Sequence, residues 1–236
     1  MRVALVDMDD TLVDYRWEEN LARDTVWAQH LPHMERDAWR IHYRRAKVEA
    51  RMVYPLPCAE GYTDRLRRAL WHAVPASAPP DERLVQACER TYWQCRYASV
   101  TPLPGARELL DALRAPYDKL LLCTMGATDV QTRRAARVGI GSAFDAICTS
   151  EAAGVGKDEW PAFLGGHWRG AYSYLMVSDT CDPDLRSAAR QGMRTAWLRR
   201  PGSGSQPSAL AHGFRADCAA DNLPDLTEAI LALAPC

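Results

Sequence analysis

Short apolar runs that alternate with helical patterns constrain the fold of this chain more than any other feature. Five such runs are spaced along the sequence: Val3–Val6, Lys119–Cys123, Phe144–Cys148, Tyr174–Val177 and Thr195–Leu198. Each is too short for a helix and shows no polar face, which is typical of a strand covered on both sides. The alternation therefore predicts an α/β fold built on a doubly wound parallel sheet.

Helical segments connect the predicted strands, as a Rossmann-like topology requires. The expected helices are Gly105–Arg114, Asp129–Val138, one around Trp160–Leu164, Pro183–Gln191 and Leu223–Leu233. Gly139 and Gly192 follow two of them and suit helix ends. Residues Gly202–Ser208 read as a loop.

Residues 15–98 differ from the rest, with helical periodicity and no convincing strand. Proline-containing segments at Pro32, Pro55–Pro57 and Pro75–Pro80 divide this region, because proline cannot continue a helix. The expected helices are Trp17–Leu31, Glu35–Arg51, Tyr62–Val74 and Asp81–Tyr97. The sequence thus predicts a four-helix cap domain, 15–98, inserted into an α/β core domain formed by 1–14 and 99–236.

Charge and composition exclude several classes of function. The net charge is −1 and no basic run is present, so nucleic acid is not an expected partner. No segment has the length of apolar sequence that a signal peptide or membrane span needs. The eight cysteines include no CxxC pair, which favours reduced thiols. We expect a cytoplasmic monomer or homodimer.

Two acids follow the first strand. Extended backbone places Asp7 and Asp9 on the same side, where they would repel unless a cation or a shared proton lay between them. An ordinary acidic turn explains the pair equally well when it is taken alone.

Further polar groups follow two other strands. Thr124-Met125-Gly126 offers a hydroxyl and backbone N–H groups for a phosphate oxygen, although a simple helix cap is the common alternative. Asp179, Asp182 and Asp184 follow a later strand and suit a hard cation such as Mg²⁺. Asp182 precedes a proline and is more typical of an N-cap. Lys157 lies in a loop before the helix around Trp160–Leu164, where an exposed lysine is the usual case.

Together these residues resemble the motifs of the haloacid dehalogenase (HAD) superfamily. Asp7-x-Asp9-x-Thr11 is similar to its first motif, Thr124 to the second, Lys157 to the third, and Asp179 with Asp184 to the fourth. The stretch MVSDTCDPDLRSAARQGMRTAWLRR is similar to the fourth-motif region over its whole length. The insert lies where the helical-cap subgroup carries its cap.

The resemblance implies a Mg²⁺-dependent phosphomonoester hydrolase that acts on a small phosphorylated metabolite. Asp7 would be the nucleophile and Asp9 the general acid and base. Thr124, Met125, Gly126 and Lys157 would bind phosphate. The metal site would comprise Asp7, the Asp9 carbonyl and Asp179. Asp184 would support it either through a bound water or by contacting the residues that bind the metal. The cap would exclude water and select the substrate, with Arg16, Arg45, Lys47, Arg51 and Tyr54 as candidates, though ordinary surface or packing roles suit each of these better.

Three positions depart from the family pattern. Met125 replaces a polar residue, Ser178 a glycine and Asp158 a proline. Asp158 could partly offset the charge of Lys157, and Ser178 adds a side chain where backbone approaches closely. A phosphomutase or phosphotransferase remains open, as does a catalytically silent binding protein. Dehalogenation and a lysine-imine route through Lys47 are disfavoured, because family dehalogenases lack an acid at the Asp9 position.

Overall fold

The computed structural model describes residues 1–73, 80–170, 172–200 and 213–233. The chain forms two compact units, Met1–Asp14 with Thr101–Cys236, and Tyr15–Val100. The predicted loop Gly202–Ser208, the helix end at Val74, most of the 75–80 segment and Cys236 lie outside the described residues. That each unit is a domain in its own right stays a prediction.

The larger unit contains a parallel sheet of six strands in the described part of the chain. The strands are β1 (Arg2–Val6), β2 (Lys119–Thr124), β3 (Ala146–Thr149), β4 (Ser173–Ser178), β5 (Arg194–Leu198) and β6 (Cys218–Ala220). Their order is β3-β2-β1-β4-β5-β6, with every neighbouring pair parallel. The predicted doubly wound sheet is confirmed. β6 was not predicted, because three residues are too few to show a pattern.

Helices lie between the strands and after the last one. They are α5 (Ala106–Arg114), α6 (Thr128–Arg137), α7 (Ser150–Ala153), α8 (Trp160–Leu164), α9 (Arg186–Arg190) and α10 (Leu223–Ala232). All except α7, which was not predicted, correspond to predicted helices. The predicted helix Pro183–Gln191 is shorter. A wide turn, Cys181–Leu185, precedes α9, and Asp182 within it has extended backbone angles.

The apolar character of the strands is explained by their burial. The central strand β1 is buried from Val3 to Val6, and Leu120–Cys123 of β2 and Leu175–Val177 of β4 are buried as well. A strand in the middle of a parallel sheet has helices on both faces, so neither face can be polar. The strand order reverses beside β1, which is where open α/β sheets bind ligands.

In its described residues, the smaller unit contains four helices, as the sequence predicts. They are α1 (Tyr15–His30), α2 (Arg36–Val53), α3 (Ala59–Ala73) and α4 (Glu82–Ser99). Their buried faces form a separate core around Trp39, Tyr43, Leu66 and Tyr92. In the described residues, no helix is both long and apolar enough to cross a membrane.

Candidate active site

The carboxyl ends of β1, β2 and β4 bring the predicted strand-end residues to one edge of the sheet. Val6 lies beside Leu122 on one side and Val177 on the other. The N–H of Asp7 continues the ladder by donating to the Val177 carbonyl at 2.9 Å. Asp7, Thr124 and Asp179 follow or end these three strands, so the sheet order collects side chains that lie far apart in the sequence.

Lys157 is buried, with 1% of its surface exposed. Its Nζ lies 2.5 Å from Oδ1 of Asp7 and 2.6 Å from Oδ2 of Asp184. The structure therefore excludes the exposed-lysine alternative. Asp158, considered above as an offsetting charge, is exposed, and the carboxylates that contact the ammonium group are those of Asp7 and Asp184.

Ser178 orients Asp184. The Ser178 hydroxyl donates to Oδ2 of Asp184 at 2.9 Å and accepts the N–H of Thr180 at 3.0 Å. Oδ2 of Asp184 thus receives both Ser178 and Lys157. The side chain that departs from the family pattern is part of the hydrogen-bonding around the lysine.

Thr11 joins two of the predicted carboxylates, a role that the sequence reasoning missed. Its buried hydroxyl lies 3.0 Å from Oδ2 of Asp7 and 3.4 Å from Oδ1 of Asp179. It also accepts the N–H of Asp179 at 2.9 Å. A hydroxyl combines one donor with acceptor lone pairs, so threonine can contact the backbone and a carboxylate together. The Asp-x-Asp-x-Thr spacing was the available signal.

Burial and mutual repulsion raise the pKa values of two of the carboxylates, those of Asp7 and Asp179. Burial raises the pKa of Asp7 to about 8, with Lys157 opposing this effect and Asp184 and Asp179 adding to it. Burial also raises the pKa of Asp179 to about 7, with Asp10 adding to it. For Lys157, burial disfavours the charge, but Asp184 and Asp7 outweigh it and raise the lysine pKa above its ordinary value. Asp7, Asp179 and Asp184 thus outnumber the single ammonium group of Lys157, which contacts Asp7 and Asp184.

This donor set suits a small hard cation. Asp7 and Asp179 supply buried carboxylate oxygens on either side of one hydroxyl, and oxygen ligands are those that Mg²⁺ prefers. Added positive charge would relieve the repulsion that raises both pKa values. Within the described ranges, no three His, Cys, Asp or Glu side chains group as a metal site. A cation here would therefore depend on two carboxylates together with backbone or water oxygens.

The Asp9 carboxylate has different partners from Asp7. Oδ1 of Asp9 lies 2.6 Å from Arg134, and Oδ2 accepts from Nε2 of Gln131 at 3.1 Å. Both partners lie on α6 and are 1% exposed. Sequence reasoning missed them. The only signal in the sequence was their spacing. Gln131 and Arg134 are three residues apart, on the helix face that also carries the apolar residues Val130 and Ala135.

The predicted phosphate-binding segment, residues 124–126, makes hydrogen bonds to Gln131 and Ser150. Thr124 accepts from Nε2 of Gln131 at 2.8 Å, and the Met125 carbonyl lies 3.3 Å from the same nitrogen. The Gly126 N–H, expected to be available to phosphate, instead donates to Ser150 Oγ at 3.0 Å. A β-carbon at Gly126 would approach Gln131 Nε2 to 2.8 Å, so the glycine makes room for this side chain.

The proposed specificity residues lie in the four-helix unit. Lys47 pairs with Glu19 at 2.7 Å, and Arg45 pairs with Glu49 at 2.9 Å on the same helix. Arg51 is exposed, whereas Tyr54 and Arg16 are half-buried. Lys47 and Arg45 thus have carboxylate partners within their own unit, and a role for any of the five in substrate selection stays a prediction.

Comparison with known proteins identifies related families and folds. Residues 1–192 match the model of the haloacid dehalogenase-like hydrolases. A glyceraldehyde 3-phosphate phosphatase of Methanopyrus kandleri is 28% identical over 204 residues, covering 85% of this chain and 84% of the relative. The pyrimidine 5′-nucleotidase YjjG of Escherichia coli is 36% identical over 104 residues, 42% of this chain and 45% of that protein.

Solved structures share the fold. The putative HAD-hydrolase YfnB of Bacillus subtilis, bound to magnesium, superimposes with a TM-score of 0.71 at 20% identity, covering 98% of this chain and 99% of that one. The L-2-haloacid dehalogenase PA0810 gives a TM-score of 0.69 at 23% identity, covering 98% and 99%.

Proposed function

Because the chain belongs to the haloacid dehalogenase-like hydrolase family, we propose that it is a phosphomonoester hydrolase in which Asp7 attacks phosphorus. The observation that carries the proposal is the buried ammonium group of Lys157, which contacts Asp7 at 2.5 Å. A carboxylate and a phosphate dianion repel each other, and a fixed positive charge beside both reduces that repulsion. Neither a solvated turn nor a surface lysine would produce this arrangement.

The chemistry proceeds in two displacements. A carboxylate oxygen of Asp7 forms a bond to phosphorus while the bond to the ester oxygen breaks, and protonated Asp9 gives its proton to the departing alcohol. Water then attacks the aspartyl-phosphate, Asp9 takes a proton from that water, and the Asp7–phosphorus bond breaks to release phosphate. Lys157 and the Thr124 hydroxyl would contact the phosphoryl oxygens in both steps.

Mg²⁺ is the cofactor that this site would take. Asp7, Asp179 and the Asp9 carbonyl would hold it, and Asp184 would support the site by fixing Lys157. When bound, the ion supplies positive charge against the equatorial phosphoryl oxygens. The raised pKa values of Asp7 and Asp179, which added cationic charge would reverse, support this assignment.

The names of two relatives support a substrate class. Their names denote enzymes acting on glyceraldehyde 3-phosphate and on pyrimidine 5′-nucleotides. In both, phosphate is attached to a primary alcohol on a small polar molecule. We propose a substrate of this class. The role of Asp9 as general acid fits it, because the oxygen of an alkyl ester is a poor leaving group unless it is protonated as the bond to phosphorus breaks.

Phosphate release from a substrate panel tests the proposal. The purified protein is assayed on glyceraldehyde 3-phosphate, the pyrimidine 5′-monophosphates and p-nitrophenyl phosphate, with Mg²⁺ or with EDTA. We expect Mg²⁺-dependent release that Asp7→Asn abolishes and that Asp111→Asn, an exposed control on α5, leaves intact. Absence of release from every ester, or full activity in Asp7→Asn, would overturn the mechanism.

The same assay separates hydrolysis from phosphoryl transfer. When the panel is incubated with an excess of competing alcohols or sugars, a hydrolase yields inorganic phosphate in step with the alcohol released. A phosphotransferase or mutase yields a new phosphate ester instead, and less inorganic phosphate than alcohol. We expect equal amounts of phosphate and alcohol.

A further inference from the structure

Two buried polar side chains of α6, Arg134 and Gln131, contact the Asp9 carboxylate. Arg134 donates to Oδ1 of Asp9 at 2.6 Å and to Oε1 of Gln131 at 2.6 Å. Gln131 in turn donates through Nε2 towards Oδ2 of Asp9 at 3.1 Å and Oγ1 of Thr124 at 2.8 Å. These hydrogen bonds therefore connect Asp9, the proposed general acid and base, with Thr124, which is proposed to bind the phosphate.

Packing alone does not account for this group. Arg134 and Gln131 are each 1% exposed, on a helix face that an ordinary sheet-covering helix fills with apolar side chains. Removing a guanidinium group from water is expensive, and an ion pair of this kind is often no more stabilising than apolar residues of similar volume. The neighbouring Arg133 shows the usual alternative, because its side chain is 67% exposed.

The contacts fix the orientation of Asp9. Each carboxylate oxygen has its own donor, so rotation of the carboxylate would break at least one hydrogen bond. The Asp9 side chain nevertheless remains 24% exposed, which leaves it accessible to a substrate oxygen. A proton donor contributes to catalysis only when it is held at the atom that needs the proton.

We propose that Arg134 is a positioning residue for Asp9, because it holds the Asp9 side chain in place for proton transfer to the leaving oxygen. Gln131 connects Asp9 with Thr124 by hydrogen bonds to both. The proposal rests on the proposed phosphohydrolase activity. It predicts that the loss of Arg134 damages the hydrolysis of esters whose leaving group must be protonated. Esters with a leaving group that departs as a stable anion are affected far less.

Leaving-group dependence provides the measurement. kcat/KM is compared for an alkyl phosphate that the wild type hydrolyses and for p-nitrophenyl phosphate, because this ratio reports phosphoryl transfer to Asp7 whichever later step is slow. Since general acid catalysis supplies about 10²- to 10⁴-fold, we expect Arg134→Met to lower the alkyl phosphate value by about 10²-fold and the p-nitrophenyl phosphate value by less than about threefold. Arg134→Lys, which keeps the charge and one donor, should recover part of the loss.

Two controls separate positioning from a general loss of structure. Arg133→Met removes an exposed arginine from the same helix and should change neither value. In a double-mutant cycle, Arg134→Met should add almost nothing to the loss that Asp9→Asn causes on the alkyl phosphate, because both remove the same function. Unfolding midpoints of all variants are recorded alongside.

The outcomes are distinct. Equal losses on both esters, additive effects with Asp9→Asn, or unchanged kinetics in Arg134→Met would each overturn the role of Arg134 while leaving the phosphohydrolase intact. Failure of the wild type on both esters would instead refute the proposed function. Selective loss on the alkyl phosphate, absent in the Asp9→Asn background, supports the proposal.

Discussion

Nζ of Lys157 lies 2.6 Å from Oδ2 of Asp184, and both side chains are buried. The two residues sit on different loops at the edge of the sheet, 27 positions apart. Because Ser178 donates to the same oxygen at 2.9 Å, Asp184 is itself fixed. Asp184 therefore determines where the ammonium group lies with respect to Asp7.

Asp184→Asn should weaken this arrangement without removing a group that contacts substrate. A hydrogen bond to a charged group contributes about 1.5–3 kcal/mol, which corresponds to roughly a 10- to 100-fold fall in kcat if all of it acts on the transition state. Asp182→Asn is the matched control, since this nearby side chain is 45% exposed and lies 3.4 Å from Arg186. Phosphate release by both variants is the measurement. Equal activity in the two would contradict the role of Asp184.

Lys157→Met should abolish activity and destabilise the fold. The substitution leaves Asp7 and Asp184 facing each other in a buried site, and removing one partner of a buried ion pair costs about 3–5 kcal/mol. Urea denaturation measures the free energy of unfolding beside the rate of phosphate release. Lys119→Met, at the start of β2, serves as the control. A Lys157→Met protein that was as stable and active as the wild type would be incompatible with this charge arrangement.

Thr11→Val tests the hydroxyl between Asp7 and Asp179. Valine has nearly the same shape but leaves the Asp179 N–H and an Asp7 oxygen without this partner, at a cost of about 1–3 kcal/mol. We expect lower stability and a lower affinity for Mg²⁺, measured by thermal unfolding and by titrating activity with the metal. Thr11→Ser retains the hydroxyl and should stay close to the wild type. A serine variant as impaired as the valine variant would point to packing of the methyl group instead.

Glu19 makes the stability of the protein depend on acid pH. Its carboxylate contacts Lys47 and Arg65, each at 2.7 Å. Burial acts to raise the pKa of Glu19, but Lys47 and Arg65 outweigh it and lower the pKa from 4.5 to about 2. A depressed pKa stabilises the folded state fully above the unfolded value, and this contribution is lost as pH falls from about 4.5 towards 2.

Glu19→Gln should therefore flatten the acid limb of stability. The pKa difference corresponds to roughly 3 kcal/mol. Between about pH 5 and about pH 2, the free energy of unfolding of the wild type should therefore fall by up to this amount more than that of the variant. Chemical denaturation at several pH values measures it. Glu60→Gln, an exposed change on α3, should retain the wild-type slope. Parallel pH profiles for wild type and Glu19→Gln would rule out this linkage.

The strands and helices could be predicted because their patterns are local. Apolar runs such as Leu120–Cys123 record burial on both faces, and proline marks the breaks between α1, α2 and α3. Errors arose where the pattern is too short, as in β6, or where the backbone departs from a helix, as at Asp182. The candidate residues at strand ends could be identified for the same reason, because parallel strands place their carboxyl ends at one edge.

What the sequence by itself determined is the order of elements, the family motifs and the residue types available for phosphate chemistry. Only the tertiary structure decided which of these groups touch. It buried Lys157 against Asp184, turned the Ser178 hydroxyl onto the same carboxylate, and placed Arg134 against Asp9 across 125 residues of sequence. Local patterns record whether a residue is buried, whereas the identity of its partner depends on strand order and helix placement, which no short segment encodes.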